Sequence, residues 1–492
     1  MRYIIILLSI SLTIQVIAQN KLTSRSQKTI IGTILNQDKY PISYTNIIIQ
    51  NSGKGTISNE NGKFSINIHS LNDTNTVRFQ CIGYKTEKHT VKQLKNNPTI
   101  ILDEDIYKID EILILGTTPN ANEIIKAILK NKKKNYKVLT EKKKVFFRER
   151  SKTNILNLKL EYKKNKDFEE ISTDMIQLLE EKTPRNTQSY FDILTDIYIK
   201  GNELKCHPIK IVALKEEDPT NLKIFKEKFN KLAINTKDNE FWKIKSGIFG
   251  SKISTSRSKE DSLNANSENL INIKSFKWKL EKSIAFSTFQ DKKKWEFLYK
   301  INKYNFEIIG GTNIKNEKVY IIDFYPKKNG LYQGRLYVAI ESAALIRADY
   351  KFAPNKKGKK IQLLGFGFEN TNFRGSIYFE KKGTVYDLKY LSYKDDQIFM
   401  IDRNLSLLKK KKRILLNKKI KEIKFGINML AKNYQSIELL VINNLKISDT
   451  EFSNLEEKKY ANVTYVNQFN KDLWRNHITI EPTKEMKEYT KY

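Results

Sequence analysis

The chain is poor in the residues that build metal centres, disulfide frameworks and nucleophile sites. It has two cysteines, Cys81 and Cys206, and four histidines in 492 residues. So few cysteines exclude a disulfide-stapled scaffold, and stability must come from packed cores. Cys81 lies in the strand-like run Phe79-Gln80-Cys81-Ile82, where a buried free thiol is the expectation. The histidines are His69, His89, His207 and His477, and none has a Glu three residues later. A zinc carboxypeptidase needs two His and a carboxylate on the metal and a further Glu as base, so that chemistry has no candidates. Arginine is scarce too: 13 of the 89 basic residues, the other 76 being Lys. After the first twenty residues no apolar run reaches the ~20 residues of a membrane-spanning helix.

Catalytic motifs fail on inspection. Gly53-Lys54-Gly55-Thr56 lacks the upstream glycine of a phosphate loop, and Gly365-Phe366-Gly367 lacks the third glycine of a dinucleotide fingerprint. No Gly-x-Ser-x-Gly elbow occurs. Glu169-Glu170 and Glu180-Glu181 are adjacent on expected helices and do not face one substrate. No catalytic, cofactor-binding or metal residue is therefore assigned, no cofactor is expected, and the expectation is a protein that is not an enzyme. A pair of acids drawn from distant segments, as in glycosidases, stays open.

What the chain has in excess is positive charge, +34 by formal count. The scarcity of Arg, the residue suited to bidentate phosphate and base contacts, argues against nucleic acid. The dense runs Lys132–Lys134, Lys142–Lys144 and Lys409–Lys412 read as solvated faces or loops. A cationic surface also attracts anionic lipid headgroups or acidic glycans, by about 1 kcal/mol per Lys near a charged membrane. Tyr and Phe number 25 each. Core packing is their default role, with sugar stacking or a lipid groove as the functional alternative.

At the N-terminus, Met1-Arg2, the run Ile4 to Ile14 and Val16-Ile17-Ala18 follow the three-part secretory pattern. Residues 1–18 are read as a signal peptide and 19–27 as a short leader. From Lys28 to Leu115, short β-rich runs alternate with turn residues: Ile30–Ile34, Tyr44–Ile49, Gly55–Ser58, Phe64–Ile68, Val77–Ile82, one beginning at Gly83-Tyr84, Thr99–Leu102 and Ile109–Leu115. Asn61-Gly62 is a tight-turn signal. This spacing predicts a seven-stranded antiparallel β-sandwich of transthyretin or immunoglobulin type.

A helical linker over 116–140 follows, with Asn120 as cap, Glu123 in the first turn and Ile124, Ile128 and Leu129 as apolar side. Residues 141–492 read as an α+β region rich in antiparallel strands, so the fold class is mainly β. Strands are expected at Val145–Phe147, Leu156–Tyr162, Lys318–Phe324, Gly334–Ile340, Ile346–Phe352, Ile361–Phe368, Gly375–Phe379 and Tyr386–Tyr393. Helices are expected at Phe168–Glu181 and Leu222–Leu232, and a surface loop at Ser251–Asn269. Such strands would form a curved sheet that packs on a helix or shelters an apolar groove.

Gly32, Pro41-Ile42, Gly55-Thr56, Asn61-Gly62-Lys63-Phe64 and Ile82-Gly83-Tyr84 occur in this order. Together they resemble the carboxypeptidase-regulatory-like domain of Bacteroidota envelope proteins, a transthyretin-like sandwich that also begins many TonB-dependent receptors. Asp110-Glu111-Ile112 to Leu115 and the Asn120 helix are similar to its continuation in non-receptor members. Phe241–Gly247 and Ile480–Met486 resemble the C-terminal part of such proteins. Cys81 departs from the aromatic or small residue usual before Ile-Gly-Tyr. The resemblance implies an accessory sandwich, not a catalytic domain.

The expected protein is a non-enzymatic exported component of a Gram-negative envelope, in the periplasm or outer membrane. Its sandwich would be an interaction module and its C-terminal region a scaffold or binding domain. Its partner would be an envelope protein, a glycan or a lipid, with peripheral membrane association and no nucleic acid. Two alternatives stand beside it: an outer-membrane β-barrel or barrel-associated protein, and an envelope peptide or glycan hydrolase.

Overall fold

The computed structural model describes residues 29–52, 55–107, 119–137, 139–166, 172–215, 239–247, 249–253, 269–315, 317–413, 416–475 and 477–489. The signal peptide at 1–18, the leader at 19–27, the strand expected at 109–115 and the helix expected at 222–232 lie outside them. The described chain divides into two compact units. The smaller holds residues up to 81, 85–104 and 471–481; the larger holds 82–84, 105–470 and those from 482 on.

The smaller unit has seven strands: β1 (Thr29–Asn36), β2 (Asn46–Ile49), β3 (Gly55–Ile57), β4 (Lys63–Asn67), β5 (Thr76–Gln80), β6 (Glu87–Thr90) and β7 (Thr99–Leu102). They form two sheets, ordered β4-β1-β7 and β3-β2-β5-β6. Alternation decides which side chains enter the core: Ile30 and Ile34 of β1 are buried while Ile31 faces out. Phe64 and Phe79 meet at the centre with ring centroids 5.3 Å apart. The expected sandwich is therefore present, with one parallel pair in it, since β1 and β7 run together with Thr33 opposite Thr99. Parallel pairing needs a crossover, and here the chain passes through the second sheet and helix α1 (Val91–Asn96) before returning. The strand expected from Gly83 begins instead at Glu87, because Gly83 turns the chain with φ +87°.

Two landmark glycines have a steric reason. A Cβ on Gly32 would lie 2.2 Å from the Pro98 carbonyl and 2.4 Å from the Phe64 ring. Gly62 holds φ +67° in the turn before β4, where Asn59 Oδ1 accepts from the backbone N–H groups of Asn61 and Lys63 at 2.9 and 3.0 Å. Residues 471–481, read from sequence with the C-terminal region, join this unit. Thr56 Oγ1 donates to the Thr479 carbonyl at 2.8 Å and Asn59 Nδ2 to that of Glu481 at 3.0 Å.

The larger unit begins with α2 (Ala121–Lys130), capped by Asn120 as expected, its side chain accepting from Asn122 N at 2.9 Å. Its buried residues are Ile125 and Ile128, so the apolar side is turned slightly from the one read off the sequence. The strands are β8 (Glu141–Lys166), β9 (Asn186–Lys200), β10 (Glu203–Lys215), β11 (Glu240–Ser246), β12 (Phe249–Ile253), β13 (Leu270–Asn272), β14 (Tyr304–Ile314), β15 (Glu317–Pro326), β16 (Tyr332–Ala339), β17 (Leu345–Phe352), β18 (Lys360–Leu363), β19 (Phe366–Lys382), β20 (Val385–Lys411), β21 (Lys418–Lys446), β22 (Tyr460–Asn462) and β23 (Thr464–Val466). Fourteen of them make one sheet along the path β14-β15-β16-β17-β19-β20-β21-β8-β9-β10-β23, with β18 on β19 and the β11–β12 hairpin on β20.

Several expectations change here. Val145–Phe147 and Leu156–Tyr162 are parts of the single strand β8. The polar stretch between them is not a break, because Arg148 makes a buried bidentate pair with Asp192 on β9, at 2.8 and 2.7 Å. Ile361–Phe368 is a hairpin rather than one strand, turned at Leu364 (φ +49°) and Gly365 (φ +75°). Residues 251–253 of the expected loop are strand, paired to β11. Lys143 is buried at 5 % exposure, held by Glu141 at 2.8 Å and Asp387 at 3.3 Å, so this member of a lysine run is not solvated. The helix expected near Phe168–Glu181 is α3 (Thr173–Lys182), capped by Ser172.

The core of the larger unit lies where α4 (Lys274–Ser287) and the short α5 (Glu296–Tyr299) cover one sheet face. Trp295 sits there fully buried, with ring centroids of Phe286, Phe289, Phe297 and Tyr350 at 5.3, 4.9, 5.6 and 5.4 Å. Its indole N–H donates to the Phe286 carbonyl at 2.9 Å. Among the described residues no helix is long and apolar enough to cross a membrane. Trp295→Ala is expected to lower unfolding stability by about 3–5 kcal/mol, read as a lower urea midpoint for the larger unit; an unchanged midpoint would show that the cluster does not hold this face.

Candidate binding face

Side chains of a strand alternate between faces, so the strand register identifies the residues that share the α4 face. Lys279 of α4 pairs with Glu149 of β8, and Phe286 of α4 meets Tyr393 of β20 at 5.8 Å. Continuing from Tyr393 along β20 in steps of two gives Asp395, Gln397, Phe399, Ile401, Arg403, Leu405 and Leu407.

The first rungs beyond the helix are polar. Asp395 lies opposite Phe373 and Gln435, and Gln397 opposite Asn370 and Asn433. Asn370 Nδ2 donates to the Asp395 carboxylate. Gln435 Nε2 donates to Glu149 at 2.7 Å, and Thr153 Oγ1 meets Asn433 Oδ1 at 3.1 Å. Lys294 projects among aromatic rings here, its ammonium 4.1 Å from the Tyr393 centroid and 5.5 Å from those of Phe286 and Phe373. Burial pushes the pKa of Lys294 down, with Asp291 and Asp395 opposing the shift. Burial likewise pushes Asp395 up, against the pull of Lys294. Lys294 and Asp395 thus each oppose the desolvation of the other.

The next two rungs are apolar across five strands. One runs Ile361, Phe368, Phe399, Ala431, Ile155; the other runs Leu363, Phe366, Ile401, Met429, Leu158. Rungs two residues apart are separated by roughly 6–7 Å. Phe368 and Phe399 touch ring to ring at 5.4 Å. Ala431 and Leu158 are buried, Phe368, Phe399, Ile401 and Met429 are half-buried, and Ile361, Leu363 and Phe366 are exposed. Beyond them the face is covered again. Ile176 of α3 packs with Trp242, Leu407 and Ile423, and Leu160, Tyr162 and Phe425 lie against that cluster. An apolar strip thus lies between two covered regions, with a polar belt on one side.

Among the described residues of this face no catalytic group set is assembled. Glu180 accepts from Leu160 N at 2.6 Å in the flank of α3, and Glu169-Glu170 lies outside the described residues. Gly365 lies in the β18–β19 turn, Phe366-Gly367 begin β19, and Gly55-Thr56 lies in β3. His69, His89 and His477 belong to the smaller unit and His207 to the larger. His207 Nε2 lies 2.7 Å from the Glu456 carbonyl, and His89 packs its ring on Phe79 at 6.0 Å. Among the described residues no three His, Cys, Asp or Glu cluster as metal ligands would.

The sequence carried one unused signal for the strip. Ile361/Leu363 and Phe366/Phe368 are apolar pairs two residues apart, and the short apolar runs Ile398–Ile401 and Met429–Ala431 contain the other members. Only the register shows that they coincide.

Neither cysteine is in a disulfide, and both are buried. Cys206 lies 3.2 Å from Thr195 Oγ1, and burial pushes its thiol pKa up to about 12. Neither thiol is therefore expected to react with a disulfide reagent at pH 8 until the chain is unfolded, when both should; rapid labelling of the native protein would contradict this. Because the unfolded thiol ionises at a lower pH than the folded one, stability from this group falls as pH rises past the ordinary thiol range.

Residues 30–114 match the CarboxypepD_reg-like domain family. A curated relative, the TonB-dependent receptor P39 of Formosa agariphila, is 27% identical over 114 residues, which is 23% of this chain and 10% of that protein. The chain thus spans about a tenth of that relative's length. Of solved structures, the MucA/MucB complex of Pseudomonas aeruginosa covers 63% of this chain and 94% of its own at 6% identity, with a TM-score of 0.18. OpdQ of the same organism covers 62% and 98% at 7% identity, with a TM-score of 0.09. Scores this low carry no structural argument. By family match and by its ordered landmarks, the segment 30–114 is a carboxypeptidase-regulatory-like domain.

Proposed function

We propose that this is a non-enzymatic protein of the Gram-negative cell envelope, exported to the periplasm or outer membrane. Its carboxypeptidase-regulatory-like domain serves as an interaction module. Its large sheet serves as a binding region for an extended apolar ligand. The secretory pattern at 1–18 and the partial similarity to a TonB-dependent receptor support the location. The observation that carries the binding role is the apolar double rung left half-exposed between two covered stretches of one face. Apolar surface in water is unfavourable by roughly 25 cal/mol per Å², and contiguous patches of it mark binding sites.

A membrane barrel closes its sheet, because every backbone group must be paired inside the bilayer. Here the path ends at β14 and β23, which do not pair with each other in the described residues, so the barrel reading is not adopted. Among the described residues no arrangement of acids favours the hydrolase reading.

Two experiments test the proposal. Fractionation of the native host should place the mature chain in the envelope and release it with carbonate or urea. Resistance to both, with heat-dependent mobility on gels, would return the barrel reading. In the second, Phe399→Ser and Ile401→Asn should each weaken binding of a fluorescent apolar probe about tenfold or more, in line with the loss of one large apolar contact. Binding equal to the parent in correctly folded variants would remove the strip as the site.

A further inference from the structure

The apolar strip reaches the sheet edge at the β18–β19 hairpin, and that edge has features of its own. All four residues of β18 are exposed. Around the turn, Ile361, Leu363, Leu364 and Phe366 are exposed to 40%, 61%, 53% and 43%. Large aliphatic side chains at an uncovered hairpin tip are an aggregation liability unless something covers them.

The charge on the hairpin's own sequence is of one sign, while Glu369 lies opposite Lys360 and Asp402 of β20 adjoins Gly365. From Lys356 to Gly367 the chain has four lysines and no carboxylate. Lys356 donates to the Lys328 carbonyl at 2.7 Å and Lys357 pairs with Glu369 at 3.2 Å. Lys359 and Lys360 are exposed. The neighbouring β11–β12 hairpin repeats the pattern, with Lys243, Lys245 and Lys252, exposed Ile244, and no carboxylate from Phe241 to Ile253.

Arg403 fastens the two hairpins. Its guanidinium donates to the Ser246 carbonyl at 2.9 Å and lies 4.8 Å from the Phe366 ring centroid. Asp402 N donates to the Gly365 carbonyl at 2.8 Å, and Ser246 Oγ to that of Asn404 at 3.2 Å. Both tips are thus held on the same stretch of β20 as one rigid surface.

We propose that this edge docks on an anionic phospholipid surface, with Leu363, Leu364 and Phe366 entering the headgroup boundary and the lysines pairing with lipid phosphates. Aliphatic tips ringed by lysine suit that partner: the tips need an apolar layer and the ammonium groups need anions beside it. Nucleic acid would leave the aliphatic tips in water. An acidic protein could satisfy the lysines, and a second copy could cover the tips but would set lysine against lysine.

The test is co-sedimentation of the full mature chain with vesicles at low salt, about one-third phosphatidylglycerol against pure phosphatidylcholine. Binding is expected to the anionic vesicles and to weaken with salt. Leu363→Ser with Leu364→Ser, and separately Lys359→Glu with Lys360→Glu, should each reduce it about tenfold or more. Lys133→Glu with Lys134→Glu, a change of equal charge elsewhere, should reduce it far less. All these positions are on the surface, and unchanged thermal unfolding checks that the variants fold. No binding to anionic vesicles would overturn the proposal. So would equal loss in both lysine pairs with no loss in the leucine pair, which would leave only non-specific charge. A chain that is dimeric, and becomes monomeric with the leucine changes, would assign the edge to self-association instead. Vesicle binding in vitro does not depend on the apolar ligand, so this proposal and the strip can fail separately.

Discussion

Burial of Trp295 between the sheet and the segment joining α4 to α5 decides how the larger unit is arranged. Four aromatic rings surround it and its indole N–H is used within the same segment. A ring of that size, sealed on all sides, fixes the helices on one face of the sheet. Once that face is fixed, the two-residue alternation of β20 assigns every side chain from Tyr393 to Leu407 to a side. A slip of one residue would put Tyr393 outside and Lys394 in the core.

The strands outrun the helices that cover them. β8, β20 and β21 are 26, 27 and 29 residues long, while α4 has 14 residues at 1.5 Å rise each. Strand rise is more than twice that. A stretch of the covered face must therefore extend past α4, and α3 covers only its far part. Between them lie the polar belt, which Lys294 reaches, and the half-exposed apolar strip. Charges within the fold are handled by pairing, Arg148 with Asp192 and Lys143 with Glu141 and Asp387, while Lys294 lies against aromatic rings. Removing one partner of such a buried pair typically costs about 3–5 kcal/mol, so these pairs bind strands together and are poor candidates for chemistry.

The smaller unit was the most legible part. Its glycines answer to local sterics, Gly32 against Phe64 and Pro98, and Gly62 in its turn, and such constraints show in sequence. Helix α2 was legible through its cap, while its buried side includes Ile125 rather than Ile124 and Leu129. The larger unit was readable strand by strand but not as a surface. The polar middle of β8 looked like a break because its partner Asp192 is more than forty residues away in sequence. The turn at Leu364-Gly365 was hidden inside a run that alternates well enough to read as one strand. Lys143 looked solvated because its neighbours in sequence are lysines, whereas its partners come from β8 itself and β20. The strip escaped for the same reason. β18 and β19 contribute alternate apolar residues and β20 and β21 short apolar runs of which only alternate members face this side, and only pairing across five strands makes the strip continuous.

The most direct measurement uses the alternation itself. A photoreactive phenylalanine analogue would be placed at position 399, on the strip, and separately at 398, on the opposite face, in the full chain within its native cells. After irradiation, mass spectrometry would read adducts at each position. The account predicts a defined apolar adduct at 399 and none at 398. Equal labelling at both, or no adduct beyond the chain's own residues at 399, would contradict a binding role for this face.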